Sequence, residues 1–264
     1  MIIGIDMGAS AVKIAALEGD RVVLTHYEHG RGGDIPALCD KIGLSLASAG
    51  AVALTGLSSR GAGLERLGIS PAYVGEPEAI GRGAVWLSGL DNVIVASIGT
   101  GTAFVHARGG EFVHIGGTGV GAGTLSGLAE RVLGIRNMRA FDALAMSGDA
   151  GRVDLTIGDF VEAHGDLTAD LTASNLARHN PAASDADWAA GLATLIYQVI
   201  GTMGLMACRS RGARAVVVTG AVAGTAPARA NFRRFVESYG LEYFVPDNSV
   251  CATAIGAARC VADG

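Results

Sequence analysis

Met1-Ile2-Ile3-Gly4-Ile5-Asp6-Met7-Gly8-Ala9-Ser10-Ala11-Val12-Lys13 opens the chain, and its pattern returns at Asn92-Val93-Ile94-Val95-Ala96-Ser97-Ile98-Gly99-Thr100-Gly101-Thr102-Ala103. Each stretch is an apolar, β-rich run that breaks at glycines and small polar residues and then resumes, which predicts a hairpin. The first continues through 11–17 and 21–26, the second through 103–107 and 111–115, so one three-strand plan is expected twice. Around these hairpins strand and helix alternate. Helical context is expected over 34–48, a strand at 51–55, a short helix at 61–67, a strand at 72–74 and a helix at 77–87 that starts on Pro77. Past the second hairpin, residues 116–123 read as a loop too glycine-rich for regular structure. Helices are then expected at 125–133, 138–146 and 158–164, followed by a long apolar helix ending near Arg211. The chain closes with a strand at 215–218, a helix at 228–239, a strand at 241–245 and a helix at 249–261. The fold class is therefore α/β in two domains, 1–88 rejoined by the closing helix at 249–264, and 89–248 carrying the long apolar helix.

Composition narrows the functions such a fold serves. Hydrophobic residues make up 50% of the 264 and charged residues 17%, a balance for burial throughout. A net charge of -5, no basic run longer than a pair and 5% aromatics leave neither an electrostatic nor a stacking surface for nucleic acid. The cysteines Cys39, Cys208, Cys251 and Cys260 are scattered without a C-x-x-C pair and read as reduced thiols of a cytoplasmic protein. Met1 runs straight into a strand, so no signal peptide is expected. Residues 188–208 carry no charge and are long enough to cross a bilayer. Leu192, Leu195, Ile196, Val199, Met203 and Met206 nevertheless recur at helical spacing, with Gly191, Ala193, Gly201 and Thr202 between them. That spacing favours a core helix over a membrane span, with its small side open to the helix of a second subunit, a homodimer through 187–210.

Asp6, Gly8, Ala9, Ser10 and Lys13 place a carboxylate, a glycine turn and a polar return strand together. In such a turn amides approach phosphate oxygens, Ser10 donates, and Asp6 orients a magnesium-bound water. An ordinary hairpin with a capping aspartate explains this stretch equally well when it is taken alone. Gly99, Thr100, Gly101 and Thr102 sit at the matching break of the second hairpin, and two such turns imply two lobes gripping one triphosphate. A third stretch, Gly116-Gly117-Thr118-Gly119-Val120-Gly121-Ala122-Gly123-Thr124, opens a helix whose N-cap is expected at Thr124. Gly119, Gly121, Gly123 and Thr124 would then form an anion site at the helix start. No lysine follows as a Walker loop requires. Thr219-Gly220 after an apolar strand offers close backbone approach to a flat purine. Glu76 follows a strand and precedes Pro77 at a helix start. It suits a general base, with Glu78 two residues on as the competing candidate and dipole stabilisation as the role without chemistry.

The ordered set resembles the phosphate 1, phosphate 2, adenosine and connecting motifs of the actin-like ATPase and sugar kinase superfamily. Within it the chain is most similar to the type II pantothenate kinases, on Gly4-Ile5-Asp6-Met7-Gly8, Ile98-Gly99-Thr100-Gly101-Thr102, the loop 116–124 with Leu125-Ser126-Gly127-Leu128, and Ala254-Ile255-Gly256-Ala257. The resemblance implies two ribonuclease-H-like domains with a nucleotide cleft between them, ATP with Mg, and a homodimer. It also implies phosphorylation of the primary hydroxyl of pantothenate, the first step of coenzyme A synthesis, with Glu76 as the catalytic base. It places substrate contacts at Thr100, Ala103 and His114. Two of these depart from the family, which has an arginine where this chain has His114 and a serine where it has Ala103, so recognition of a carboxylate is the expectation most exposed to error. The alternatives are a kinase of the same fold for another small hydroxylated metabolite, and a nucleotide-binding protein without pantothenate turnover. Activators of related fold that hold an iron-sulfur cluster through cysteines near the glycine loop are disfavoured, because no cysteine lies between Cys39 and Cys208.

Overall fold

The structure, a computed structural model, describes residues 1–30, 34–59, 64, 68–161 and 169–263. Its first half runs Ile2–Met7 (β1), Ala11–Glu18 (β2), Arg21–His29 (β3), Ile35–Lys41 (α1), Ala51–Thr55 (β4), Ala72–Tyr73 (β5) and Glu76–Ser88 (α2). The second runs Val93–Ile98 (β6), Thr102–Arg108 (β7), Glu111–Thr118 (β8), Ala122–Leu133 (α3), Met138–Ser147 (α4), Leu155–Thr156 (β9), Thr172–Ser174 (β10) and Asp185–Arg211 (α5). Ala215–Gly220 (β11), Ala226–Tyr239 (α6), Glu242–Phe244 (β12) and Ala252–Ala262 (α7) complete it.

The two large sheets have one topology. Their strand orders are β3-β2-β1-β4-β5 and, read from the same edge, β8-β7-β6-β11-β12. In each, the first three strands form an antiparallel meander and the last two lie parallel to the central strand. The duplication reaches single residues. Ala51-Val52-Ala53-Leu54-Thr55-Gly56 and Ala215-Val216-Val217-Val218-Thr219-Gly220 both end in threonine and glycine, and both glycines have positive φ, +91° and +102°. A Cβ there would lie 2.6 Å from the Met7 carbonyl oxygen in the first case and 2.1 Å from that of Ile98 in the second. Glycine is thus required by close strand approach as well as by the turn.

Helices α2 and α7 lie between the sheets. Ile80 and Ala84 of α2 pack on Val93, Val95 and Val105, while Ala254, Ile255 and Ala258 of α7 pack on Ala15 and Leu17. The two helices cross almost backbone to backbone: a Cβ on Gly83 or Gly256 would come within 1.9 Å of the carbonyl oxygen of Ala252 or Ala79, respectively. The first sheet's other face is covered by Ile35 and Cys39 of α1, and the second sheet's by Leu125 of α3, Leu192 and Ile196 of α5 and Phe232 of α6.

Several expectations change. The helix expected over 34–48 stops at Lys41, because Gly43 takes a left-handed conformation and its N–H bonds back to Asp40. Gly116, Gly117 and Thr118 are not loop but the end of β8, where Gly117 pairs with Ala103 beside a register shift. Ala122 and Gly123 already belong to α3, whose N-cap is Gly121 and not Thr124. The small residues of α5 face the chain's own core, with Gly191 against Val153, Gly201 against the Phe235 ring and Gly204 against Val216. They are therefore not open to a second helix; the exposed side of α5 carries Thr202 and Met206. Asp185–Arg211 is long and apolar enough to cross a membrane, but 61% of its apolar window is buried inside the fold, as a core helix requires. The helix expected at 158–164 is, in its described part, a single 3-10 turn at Ile157–Asp159, and the rest lies outside the described residues. So does the helix expected at 61–67, apart from Leu64.

Candidate active site

A cavity of about 370 Å³ opens between the two sheets at the ends of β1 and β6. Its floor holds an ion pair: Asp6 at the end of β1 and Lys13 on β2 are register partners, and the Lys13 Nζ lies 3.0 Å from the Asp6 Oδ2. Both side chains are largely buried, at 7% and 14% exposure. Burial raises the Asp6 carboxyl above the ordinary carboxylate range, and Lys13 opposes that rise by charge and hydrogen bond. Gly56 leaves room for this carboxylate, since a Cβ there would stand 2.8 Å from the Asp6 Oδ1.

The two turns meet across the cleft. The Ser10 hydroxyl lies 2.9 Å from the Thr100 hydroxyl, one from each hairpin break. Gly8, Ala9, Ser10 and Lys13 therefore face Gly99, Thr100, Gly101, Thr102 and Ala103 around one space, with Gly220 closing the side next to β6. The Thr100 turn is stiffened from behind. The N–H groups of Ala122 and Gly123 donate to the Gly99 and Thr100 carbonyls at 2.9 and 3.0 Å. The Thr124 hydroxyl donates to the Gly119 carbonyl and accepts from the Gly121 N–H. A Cβ on Gly121 would collide with Gly101, and one on Gly123 with Thr100. The start of α3 is thus not the open anion site expected of it, because its first amides are already given to carbonyls. Gly119, Gly121, Gly123 and Thr124 do not line the cavity, and the glycine loop reaches it through Gly117, Thr118 and Ala122.

Glu76 is the first residue of α2 and stands exposed at the cavity wall. Partial burial raises its carboxyl, the neighbouring Asp6 charge raises it further, and Lys13 and His114 pull it down. Glu78 is not on the cavity; its carboxylate pairs with Arg82 at 3.5 Å, one turn along the helix. His114 on β8 and Ala103 on β7 line the far wall. Asp6 and Glu76 are the carboxylates on the cavity, and no group of three or more His, Cys, Asp or Glu that could hold a metal occurs among the described residues. A magnesium ion would fit only as one carried by phosphate oxygens and waters, with Asp6 beside it.

Tyr27, Leu57, Ala221 and Thr253 line the cavity unforeseen, while Ser97, at the start of the second glycine turn, lines it with the rest of that turn. A signal for two of them was present: Leu57 follows Thr55-Gly56 as Ala221 follows Thr219-Gly220, so the repeated threonine-glycine step marks both. Tyr27 lies one residue beyond the expected end of its strand, and nothing in the sequence singles out Thr253.

A family model described as Fumble matches residues 92–244. The chain is 29% identical over 136 residues to a type II pantothenate kinase of Staphylococcus saprophyticus, spanning 50% of this chain and about half, 51%, of that protein. It is 27% identical over 265 residues to a type II pantothenate kinase of Oceanobacillus iheyensis, covering 97% of each. In structure it is similar to the activator of the 2-hydroxyisocaproyl-CoA dehydratase from Clostridium difficile with bound ADPNP. The TM-score is 0.70, covering 99% of this chain and 94% of that one. At 19% identity that likeness is one of fold.

Proposed function

The chain belongs to the Fumble family, and from that premise we propose that it is an ATP-dependent kinase that phosphorylates the primary hydroxyl of pantothenate, the first step of coenzyme A synthesis. The observation that carries this reading is the meeting of the Asp6–Ser10 and Gly99–Thr102 turns across one cavity, with Glu76 on its wall. Amides and hydroxyls from two lobes suit a triphosphate whose charge must be covered as the lobes close. Asp6, Gly8, Ala9, Ser10 and Lys13 take the phosphates from one side and Gly99, Thr100, Gly101 and Thr102 from the other. Gly220 lies beside the nucleoside, and Gly119, Gly121, Gly123 and Thr124 act by bracing the Thr100 turn. Magnesium would supply charge neutralisation at the phosphates.

Glu76 accepts the acceptor's hydroxyl proton as that oxygen bonds to the γ-phosphorus. The bridging bond to the β-phosphate breaks, and ADP leaves. Partial burial and the Asp6 charge raise the Glu76 carboxyl, which makes it a stronger base than an ordinary carboxylate. Thr100, Ala103 and His114 form the acceptor wall. A second reading is favoured by one feature of that wall: Ala103 and His114 offer a carboxylate no guanidinium. On that reading the acceptor is another small hydroxylated metabolite. We divide the chain into 1–88 with 249–264, and 89–248. We assign it to the cytoplasm as a homodimer through α5, on the half-buried and exposed Leu195, Val199, Met203 and Met206. The deciding experiment incubates the protein with magnesium, ATP and either pantothenate or a panel of small alcohols, and reads phosphorylated products by mass spectrometry. Pantothenate phosphate is expected; turnover of another alcohol alone would move the assignment to the second reading, and no product with any acceptor would end the kinase reading.

A further inference from the structure

A second cavity, of about 350 Å³, lies between α4, α5 and α6, and nothing in the phosphotransfer reading uses it. Its side walls are apolar, with Ala145, Ala190, Ala193 and Pro227. Four polar side chains line it as well: Asp149 after α4, Thr194 from α5, and Asn231 and Arg234 from α6. Thr194 is 3% exposed as a residue, and its hydroxyl, which is not among the fully enclosed polar atoms lacking a partner, is open to the cavity. Asn231 is 8% exposed and donates its amide to the Pro227 carbonyl at 2.9 Å, which leaves its carbonyl oxygen free to accept. Arg234 makes no hydrogen bond or ion pair with a described residue. The carboxylate it feels, Asp154, already accepts from the Leu176 N–H at 2.7 Å. A hydroxyl open to the cavity can donate to or accept from a ligand, and a guanidinium without a paired carboxylate is a ready fork for a carboxylate or phosphate.

We propose that this cavity binds a small organic anion carrying a hydroxyl or amino group. Arg234 takes the anionic end, and Thr194 and the Asn231 carbonyl take the polar group. The volume stands at the lower end of ligand pockets, which limits the ligand to a small metabolite. Asp149, exposed on the rim with one carboxylate oxygen accepting the Gly151 N–H, disfavours a second negative charge, so a monoanion is preferred over a dianion. The cavity is joined to the nucleotide cleft through the chain. Pro227 sits in the first turn of α6, directly after the Gly220–Thr225 loop whose Gly220 and Ala221 line the first cavity.

The test uses the full chain saturated with magnesium and a non-hydrolysable ATP analogue, so that the phosphate site is filled. Glycerate, a hydroxycarboxylate, and glycerol 3-phosphate, a hydroxyphosphate, are each titrated calorimetrically. Saturable binding of one molecule per chain is expected, glycerate the tighter, and Arg234→Gln and Thr194→Val should each weaken it by about tenfold or more. Arg234 is exposed and valine matches threonine in shape, so both variants should keep the parent's thermal midpoint to within a few degrees. The proposal is overturned if neither probe binds saturably, or if binding is the same in both folded variants.

Discussion

Replacing Gly220 with alanine probes the step where β11 ends beside the cleft. The residue has φ +102°, and its Cβ position lies 2.1 Å from the Ile98 carbonyl oxygen. A left-handed backbone costs an L-residue about 1–2 kcal/mol, and forcing a methyl group into packed structure adds about 1–3 kcal/mol. The sum centres on about 3.5 kcal/mol, which for a chain of this size lowers the thermal midpoint by roughly 7–14 °C. The matched control is Gly119→Ala. That glycine lies outside the left-handed region, and its Cβ would meet nothing within 4 Å, so the change should stay within about 0.5 kcal/mol. Urea unfolding followed by far-ultraviolet circular dichroism gives both values. Gly56→Ala, with its Cβ 2.6 Å from the Met7 carbonyl oxygen, should behave like Gly220→Ala. Equal midpoints for Gly220→Ala and Gly119→Ala would refute the argument that strand approach, and not flexibility, selects glycine here.

Glu76→Gln should lower phosphoryl transfer by about 10²–10⁴-fold with nucleotide binding retained, whereas Glu78→Gln, away from the cavity, should stay near wild type in a steady-state assay. Since His114 holds the Glu76 carboxyl down, His114→Gln should raise that pKa further. A base must be ionised, so the acid limb of the kcat/KM profile should move to higher pH; a shift to lower pH would contradict the assignment. Lys13→Met leaves the Asp6 carboxylate buried without its partner and should cost about 3–5 kcal/mol in urea unfolding, with Asp6→Asn added to it recovering part of the loss. Cys39, Cys208 and Cys251 are buried free thiols pushed up to about 11, so native protein at neutral pH should resist alkylation at these three sites until unfolded.

The hairpins were legible because their runs are long, apolar and broken by glycine, and because the break is repeated. The glycine loop was misread in part because glycine signals equally a turn, a close approach and a cap. Gly117 serves strand pairing, Gly121 and Gly123 make room for the Thr100 turn, and only the folded chain separates these uses. In α5 the periodicity gave the helix but not which side the fold would claim, since Gly201 and Gly204 accommodate Phe235 and Val216, which lie far along the chain. The small β9–β10 sheet, of strands two and three residues long, carries too few residues to show a period. Lys13 and Asp6 were both visible in sequence, but their pairing depends on strand register, which places them opposite one another.

The claim on which the rest depends is that one triphosphate is held from both lobes at once. Hydrogen–deuterium exchange of the full chain, titrated with magnesium and a non-hydrolysable ATP analogue, tests it directly. The account predicts that amides of residues 8–13 and 99–103 gain protection together, at one shared dissociation constant. Protection confined to one of these segments, or absent from both while nucleotide is bound, would contradict it.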